Sequence, residues 1–310
     1  MAEPVVLLAI GLDAAIGWPG ALYRRIGHPV GLFARLIDAC EQRWNRPTRP
    51  FAARRALGAA TLMLLVLLAG IPAWLAERAL LAQPHGWIAV ALLAWPALAQ
   101  RSLFAHVGAV AAALEQGDLP AARAAVGAIV GRDTAALDDS GVGRAAIESL
   151  AESFCDGIAA PLFWLLLFGL PGVWIYKAVN TADSLIGHPE ERWRAFGWAA
   201  ARCDDLLNLA PARLAGALLC LAGRGGWRVM LRDAGGHASP NAGWPEAAMA
   251  GALGLRLGGP VRYDGVLYEK PWIGNGRALA SSADIRHAMR ITAGACIMLA
   301  SIAGAAQWLR

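Results

Sequence analysis

The sequence has 310 residues, of which 57% are hydrophobic and only 16% are charged, and its mean hydropathy is +0.45. Soluble domains carry about 25% charged residues, so the composition argues against an ordinary soluble domain and predicts an integral membrane protein. The positive charges are almost all arginines, and no basic stripe, zinc-finger spacing or base-stacking motif indicates nucleic-acid binding.

Three apolar segments are each long enough, at about 20 residues, to cross a bilayer as a helix. They are Leu57–Ala76, Gly86–Leu103 and Ile291–Leu309, and a short connection makes the first two a helical hairpin. A fourth segment, Val5–Leu12, is marginal because Asp13 and a Trp-Pro-Gly turn follow it. It has no basic flank or clear cleavage site, so we interpret it as a retained segment rather than a removed signal.

The apolar segment Gly157–Tyr176 is broken in its middle by Gly169–Gly172. Each half has about 12 residues, or about 18 Å of helix, which is too short to span a bilayer alone. We therefore expect a re-entrant or half-depth hairpin. Leu206–Leu221, interrupted by Pro211 and Arg213, is expected to behave similarly.

Arginine is distributed over segments 13–55, 115–156, 177–206 and 223–290. The positive-inside rule places all four on the cytoplasmic side of the cell membrane. The sequence therefore predicts an all-α integral membrane protein, with one domain over residues 1–310. It is expected to have few transmembrane helices, re-entrant or half-depth helices and large cytoplasmic helical connections.

The connections carry recognisable helix starts and turns. Asp118 is placed to cap a helix that ends at Gly131, and Asp138 to cap the next helix. Residues 258–276 are rich in glycine and proline, which predicts a turn-rich loop with short strands.

Three sets of charged and amide side chains flank Gly157–Tyr176 at helical spacing. They are Arg144, Glu148, Glu152 and Asp156; Lys177, Asn180, Asp183 and Ser184; and Arg202, Asp204, Asp205, Asn208 and Arg213. Ionisable groups are costly beside such apolar sequence, which favours a functional site at a membrane surface. The carboxylates could serve Mg²⁺, which usually takes one or two and leaves room for phosphates. The alternative is a solvated acidic face with i,i+4 pairs such as Arg144 with Glu148.

The loop Ser239–Gly243 is a candidate anion site, because it precedes a helix whose free N–H groups attract phosphates. Pro245 suits the first position of that helix, and Glu246 its first turn. Asn241 tolerates the left-handed conformation that such loops use. The alternative is an ordinary capped turn. No P-loop or zinc-protease motif is present, so nucleotide chemistry would need another phosphate site.

Several strings resemble one family along nearly the whole chain. They are VGRDTAAL (130–137), AAIESLAES (145–153), DGIAAPLF (156–163), YKAVNTADSLIGH (176–188), GWAAARCDDLLNLAPARL (197–214) and SPNAGWPEAAMAGALG (239–254). The chain thereby resembles the CbiB/CobD cobalamin-biosynthesis membrane proteins, the adenosylcobinamide-phosphate synthases. It departs from the family pattern A-E-N-[ST] at Ser153 and Phe154, where the serine hydroxyl could keep one hydrogen bond of the amide.

The resemblance implies an ATP-using, Mg²⁺-dependent amide ligase that joins aminopropanol, or its O-phosphate, to adenosylcobyric acid. Catalytic roles are expected for Glu148, Glu152, Lys177, Asp183 and Asp205, and metal binding for Glu152, Asp156, Asp183 and Asp204. Substrate or phosphate binding is expected for His28, Asn180, Ser184, Arg202, Asn208, Arg213, Ser239, Asn241 and Glu246. Membrane lipid and other corrin-pathway enzymes are the expected partners, without nucleic acid. One sequence leaves open which carboxylate is the base and which holds metal.

Two hypotheses from other classes remain. The same superfamily includes AmpE-like membrane proteins, so a sensor or regulator without ligase activity is one alternative. A corrinoid transporter is the other, although it would need more full spans and polar positions at the bilayer midplane.

Overall fold

A computed structural model describes residues 4–263 and 265–309 of the chain. It is built almost wholly of helices, as the composition predicts. The α-helices are α1 (Val5–Ala15), α2 (Gly20–Ile26), α3 (Val30–Trp44), α4 (Phe51–Leu81), α5 (Gly86–Ala94), α6 (Gln100–Glu115), α7 (Leu119–Gly127), α8 (Asp139–Phe154), α9 (Ala160–Ile186), α10 (Trp198–Ala222), α11 (Trp227–Asp233), α12 (Gly243–Leu253) and α13 (Ser282–Trp308). Short 3₁₀ turns lie at Trp95–Ala97 and Ala234–Gly236, and a π-helical turn at Cys155–Ala159 joins α8 to α9.

The strands form two small antiparallel pairs within the predicted turn-rich loop. They are β1 (Leu257–Gly258), β2 (Val261–Tyr263), β3 (Val266–Tyr268) and β4 (Trp272–Ile273). β1 pairs with β4, so that Leu257 faces Ile273, and β2 pairs with β3. The expectation of short strands in this loop is confirmed.

The chain divides into two compact units, each assembled from separate segments. The first comprises Met1–Ala99, Ala160–Asn208 and Ile302–Arg310, and the second Gln100–Ala159 and Leu209–Ser301. In the first unit α4 packs along α9, and α3 packs against both. In the second unit α6 packs on α7 and α8, while α12 packs on α8 and α11. The expectation of a single domain stays a prediction.

Within the part of the chain that the structure describes, five helical segments are long and apolar enough to cross a membrane. They are Phe51–Leu81, Gly86–Glu115, Asp139–Ile186, Trp198–Ala222 and Ser282–Trp308. A sixth span is possible if the bent pair Val5–Ala15 and Gly20–Trp44, which turns by 102°, is counted as one. The predicted all-α membrane fold is confirmed, and the three predicted spans lie largely within the first, second and last of these segments.

Two helix boundaries differ from the sequence expectation. The helix capped by Asp118 ends at Gly127, four residues earlier than predicted. Leu206–Leu221 is not interrupted, because α10 runs on through Pro211 to Ala222. Proline removes one backbone hydrogen bond, which membrane helices tolerate when neighbouring groups compensate.

The predicted break in Gly157–Tyr176 is present, at Phe168 and Gly169. Gly169 has φ of 64°, in the left-handed region that favours glycine. The kink exposes the backbone N–H of Leu170, which donates to Glu77 Oε1 on α4 at 3.0 Å. A Cβ at position 169 would lie 2.2 Å from that same oxygen. Gly169 adopts the backbone angles of the break and Glu77 accepts the N–H that it exposes, so the two residues together make the break possible. The re-entrant path of the segment stays a prediction.

Replacing Glu77 by alanine is expected to lower the free energy of unfolding by about 1–3 kcal/mol, because the Leu170 N–H loses its acceptor in an apolar setting. Glu77→Gln keeps a carbonyl oxygen at the same reach and is expected to recover most of that loss. Thermal unfolding of the purified proteins in detergent measures both. An alanine variant as stable as the parent would show that the carboxyl group does not hold the kink.

Candidate active site

A cavity of about 390 Å³ lies within the second unit. Its walls come from α8, α12, the strands and three connecting segments. The polar and charged lining residues are Arg132, Glu148, Ser149, Glu152, His237, Glu246, Glu269 and Lys270. Four carboxylates beside two permanent cations and an imidazole are the kind of convergent polar set that marks a binding or catalytic site.

Helix α8 supplies two of the carboxylates. Asp138 caps the helix by accepting the Gly141 N–H at 2.6 Å, as predicted. The helix is rich in alanine and glycine, which lets neighbours approach closely, and most of its residues are buried. Glu148 and Glu152 lie one turn apart and both face the cavity. The helical spacing seen in the sequence therefore places this acidic pair correctly.

Both oxygens of Glu148 are already engaged. Arg132 Nη2 donates to Oε2 at 2.5 Å, and the Gly258 N–H donates to Oε1 at 2.7 Å. The Glu148 side chain is only 6% exposed and that of Arg132 17%. Gly258 has φ of 71°, so this close backbone approach suits glycine. Glu148 therefore ties the loop before α8 and strand β1 to the helix, and shapes the cavity wall.

The expected i,i+4 pair of Arg144 with Glu148 does not form. Arg144 Nη1 instead donates to Ser140 Oγ and to the Ala278 carbonyl, both at 2.9 Å. The partner of Glu148 is Arg132, 16 residues upstream. Spacing along a helix shows which side chains share a face, but it does not identify a partner that a loop brings in.

Glu246, in the first turn of α12, also lines the cavity and is buried. Burial, reinforced by the nearby charges of Glu148 and Glu152, raises the pKa of Glu246 well above its usual range. His237 Nε2 is 3.7 Å from Glu246 Oε1, and burial lowers the pKa of His237. Three carboxyl groups thus crowd one cavity, which favours the entry of a cation such as an ammonium group or a metal ion.

The loop before α12 is organised by its own side chains. Ser239 Oγ accepts the N–H groups of Asn241 and Ala242 at 3.2 Å, and His237 Nδ1 accepts the Ser239 N–H at 3.0 Å. Asn241 does not have the expected left-handed conformation. The helix begins at Gly243, so Pro245 is its third residue rather than its first. These contacts are those of a capped turn, although Glu246 does lie in the first turn as predicted.

The side chain of Asn241 is buried and faces an arginine. Its Oδ1 accepts from Arg213 Nη1 at 3.1 Å, and the Arg213 guanidinium lies 4.6 Å from the centre of the Trp244 ring. Both residues were predicted to bind substrate or phosphate. Neither lines the cavity of the second unit as the structure describes it.

Asn241→Gly is expected to lower the free energy of unfolding by about 0.5–1.5 kcal/mol, since Arg213 loses a hydrogen-bond acceptor. Asn241→Asp keeps an oxygen for Arg213 and serves as the matched control, with stability near that of the parent. Thermal unfolding in detergent compares the three proteins. If Asn241→Gly and the parent protein have the same unfolding temperature, the amide has no structural role and the predicted binding role gains support.

A separate polar cluster lies in the first unit, between α9 and α10. Asp204 is buried, and its Oδ1 and Oδ2 accept from the amides of Asn180 and Asn208 at 3.2 and 3.0 Å. Tyr176 Oη donates to Asn208 Oδ1 at 3.1 Å, and Lys177 Nζ to Asn180 Oδ1 at 3.4 Å. An aspartate that is buried and accepts hydrogen bonds from two amides is part of the packed interior, not of a solvated acidic surface.

The other predicted residues of the first unit lie around this cluster or elsewhere in the unit. Ser184 Oγ donates to the Asn180 carbonyl at 2.9 Å, and Arg202 pairs with Asp205 at 2.9 Å. The Asp183 carbonyl accepts the Gly187 N–H at the end of α9. His28 Nδ1 accepts the Val30 N–H at 3.2 Å, which is a structural contact at a helix start.

The predicted residues thus fall into two sets. Glu148, Glu152, Asp156, Arg213, Ser239, Asn241 and Glu246 belong to the second unit, and His28, Lys177, Asn180, Asp183, Ser184, Arg202, Asp204, Asp205 and Asn208 to the first. Of them, only Glu148, Glu152 and Glu246 line the cavity. The cavity residues that the sequence analysis does not predict are Arg132, Glu269 and Lys270, whereas His237 lies at the edge of the predicted anion loop. Arg132 lies inside the string VGRDTAAL, and Lys270 is one of only two lysines in the sequence. Both features could have indicated a functional residue.

Within residues 4–263 and 265–309, no three His, Cys, Asp or Glu side chains are grouped closely enough to form a metal site by themselves. Mg²⁺ usually takes only one or two protein carboxylates. Glu152 and Glu246, which both line the cavity, are carboxylates of the kind that Mg²⁺ uses. Of the four predicted metal ligands, Glu152 alone lines the cavity.

The chain matches known proteins over most of its length. The family model described as CobD/Cbib protein matches residues 6–292. The chain is 52% identical to Cobalamin biosynthesis protein CobD of Rhodobacter capsulatus, over 88% of this chain and 87% of that one. It is 46% identical to the protein of that name from a Sinorhizobium species, over 97% of each chain. For the Geobacter metallireducens protein the identity is 44%, over 97% and 96%. No solved structure matches.

Proposed function

The chain belongs to the CobD/Cbib family, and we propose that it acts in cobalamin biosynthesis as an ATP-dependent amide ligase. Its substrates would be adenosylcobyric acid and either aminopropanol or aminopropanol O-phosphate, and its product adenosylcobinamide or its phosphate. The observation that supports this proposal is the cavity of the second unit, where carboxylates crowd beside Arg132 and Lys270.

The reaction requires an activated carboxyl group. A carboxylate oxygen of the corrinoid would attack the terminal phosphorus of ATP, forming an acyl phosphate and releasing ADP. The amine nitrogen would then attack the acyl carbon, so that a C–N bond forms, the C–O bond to phosphate breaks, and inorganic phosphate leaves. The ammonium form of the amine is not nucleophilic, so a base must take its proton first.

The cavity offers a group for each task. Glu152 is the carboxylate that we assign to receive the ammonium proton. Lys270 is a point charge suited to a phosphate oxygen, and Arg132 adds a second positive charge to the same cavity. Glu148 acts as a positioning residue, because Arg132 and Gly258 occupy its oxygens. Glu246 and His237 line the same cavity.

Magnesium fits the same donor set. We propose that Glu246 would hold the ion, which leaves the role of base to Glu152. When bound, Mg²⁺ would neutralise phosphate charge and orient the nucleotide. The predicted roles of Lys177, Asp183 and Asp205 in the first unit stay proposals.

A direct test uses the protein purified in detergent. Incubation with ATP, Mg²⁺, adenosylcobyric acid and each form of the amine should release ADP and give a product that mass spectrometry identifies as the amide. Omitting the amine should prevent amide formation, and Glu152→Gln supplies the inactive control. Binding of the corrinoid without ADP release would instead favour the AmpE-like sensor or the corrinoid transporter. Complementation of a strain blocked after adenosylcobyric acid tests the same step in cells.

We propose that the protein lies in the cytoplasmic membrane with its cavity facing the cytoplasm, where it could meet other corrin-pathway enzymes. Cysteines at Ala136 and Val266, both exposed and both in the second unit, should react with an impermeant maleimide only in inside-out vesicles. Four of the five native cysteines are buried, and Cys203→Ser removes the fifth. The native cysteines should therefore contribute little labelling of their own. Labelling from the outside of intact cells would contradict the cytoplasmic orientation.

A further inference from the structure

A second cavity, of about 650 Å³, lies in the first unit where α3 ends and α4 begins. The residues that line it are Glu41, Gln42, Asn45, Arg46, Pro47, Arg54, Glu191 and Arg192. None of these residues belongs to the cavity of the second unit or to the Asp204 cluster.

Its floor is held by a closed set of hydrogen bonds. Arg192 donates to both oxygens of Glu41 at 2.9 Å, and Asn45 Nδ2 donates to Glu41 Oε1 at 3.0 Å and to the Arg192 carbonyl at 2.8 Å. Arg54 Nε donates to Asn45 Oδ1 at 2.6 Å. The buried carboxylate is thereby neutralised, and the floor stays in place without any ligand.

The rim is strongly cationic. Residues 41–55 and 187–197 contain seven arginines and three glutamates, one of which is the neutralised Glu41. Arg43 and Arg46 are exposed, and their side chains have no hydrogen-bond or ion-pair partner among the described residues. Exposed guanidinium groups beside a cavity attract a phosphate or another oxyanion.

The surroundings are those of a membrane surface. Two candidate spans begin here, at Phe51 and Trp198, and these side chains are 49% and 43% exposed. Arg194 lies 5.8 Å from the centre of the Phe51 ring, and Arg55 lies 3.5 Å from that of Trp198. Aromatic and basic residues at the start of a span mark the depth of lipid headgroups.

From these observations we propose that the cavity beside Arg46 binds the headgroup of an anionic phospholipid. The phosphate lies against Arg46 of the cavity and the neighbouring exposed Arg43, and the acyl chains lie against the apolar face at the start of the two spans, where Phe51 and Trp198 are exposed. A soluble phosphate would use only the arginines. A lipid uses both the arginines and the apolar face, and clusters of basic residues at the cytoplasmic end of a span are typical of anionic lipid binding.

The test titrates detergent-purified protein with dioctanoyl-phosphatidylglycerol, dioctanoyl-phosphatidylcholine or inorganic phosphate, and follows the unfolding temperature. A ligand that binds only the folded state raises that temperature with concentration. We expect a saturable rise with phosphatidylglycerol alone. The double variant Arg43→Gln/Arg46→Gln, which breaks no internal contact, should keep the basal unfolding temperature and weaken phosphatidylglycerol binding at least tenfold.

The matched control is Arg224→Gln/Arg228→Gln, which removes the same charge from exposed positions of the second unit. Its response to phosphatidylglycerol should equal that of the parent protein. An equal rise with inorganic phosphate would assign the cavity to a soluble anion and overturn the lipid proposal. Equal weakening in both double variants, or a rise with phosphatidylcholine of the same size, would also overturn it.

Discussion

Glu152→Gln is expected to reduce amide formation by about 10²–10⁴-fold, the usual contribution of a positioned proton acceptor, while leaving the unfolding temperature nearly unchanged. Glutamine has the shape of glutamate but neither its negative charge nor its basicity. It would fail to receive the ammonium proton. The measurement is the rate of ADP and amide production by purified protein at saturating substrates.

Glu148→Gln should reduce activity for a different reason, because it should also lower the stability of the protein. Its carboxylate is paired with Arg132 within the wall of the cavity, and breaking a buried pair by removing one partner costs about 3–5 kcal/mol. We therefore expect a lower unfolding temperature together with lower activity. Arg132→Gln should resemble Glu148→Gln in stability, because either change leaves one charge without its partner.

Asp139→Asn on the same helix is the control for both variants. This residue is exposed in the first turn of α8, so its replacement should change stability by no more than about 1 kcal/mol. If Glu152→Gln retained full activity, the proton acceptor would lie elsewhere, and Asp183 and Asp205 of the first unit would be the next candidates. If Glu148→Gln matched the parent in stability, its positioning role would be wrong.

The sequence determines the helices because their signals are local. Apolar length specifies candidate spans such as Phe51–Leu81, and the short side chain of Asp138 specifies where α8 begins. Gly169 marks the kink of α9, because few other residues adopt its backbone angles. Pro211 is a false signal of a break in α10, since the loss of one backbone hydrogen bond does not end a helix that neighbouring groups support.

The candidate site was predictable only in part. Glu148 and Glu152 are four residues apart on one helix, so their common face follows from the helical period alone. Arg132 and Lys270 reach the cavity from loops and short strands, whose paths depend on tertiary packing. Asn180 and Asn208 are predicted site residues, but their spacing in the sequence does not show that they donate hydrogen bonds to Asp204.

Asp204→Ala is expected to lower the free energy of unfolding by about 2–6 kcal/mol, because each of two buried amide donors left unpaired costs about 1–3 kcal/mol. The donors are Asn180 Nδ2 and Asn208 Nδ2, and Asn208 is itself bonded to Tyr176. Asp204→Asn keeps one acceptor oxygen and should fall between alanine and the parent. Thermal unfolding in detergent ranks the three proteins.

Asp38→Ala removes an exposed carboxylate of α3 in the same unit and should change stability by no more than about 0.5 kcal/mol. The comparison separates two roles for Asp204. As the centre of a hydrogen-bond network it stabilises the packing of α9 against α10, so its loss lowers the unfolding temperature without Mg²⁺ or ATP. As a metal ligand, which the sequence predicted, its loss would reduce Mg²⁺-dependent activity while the unfolding temperature of the metal-free protein matched that of Asp38→Ala.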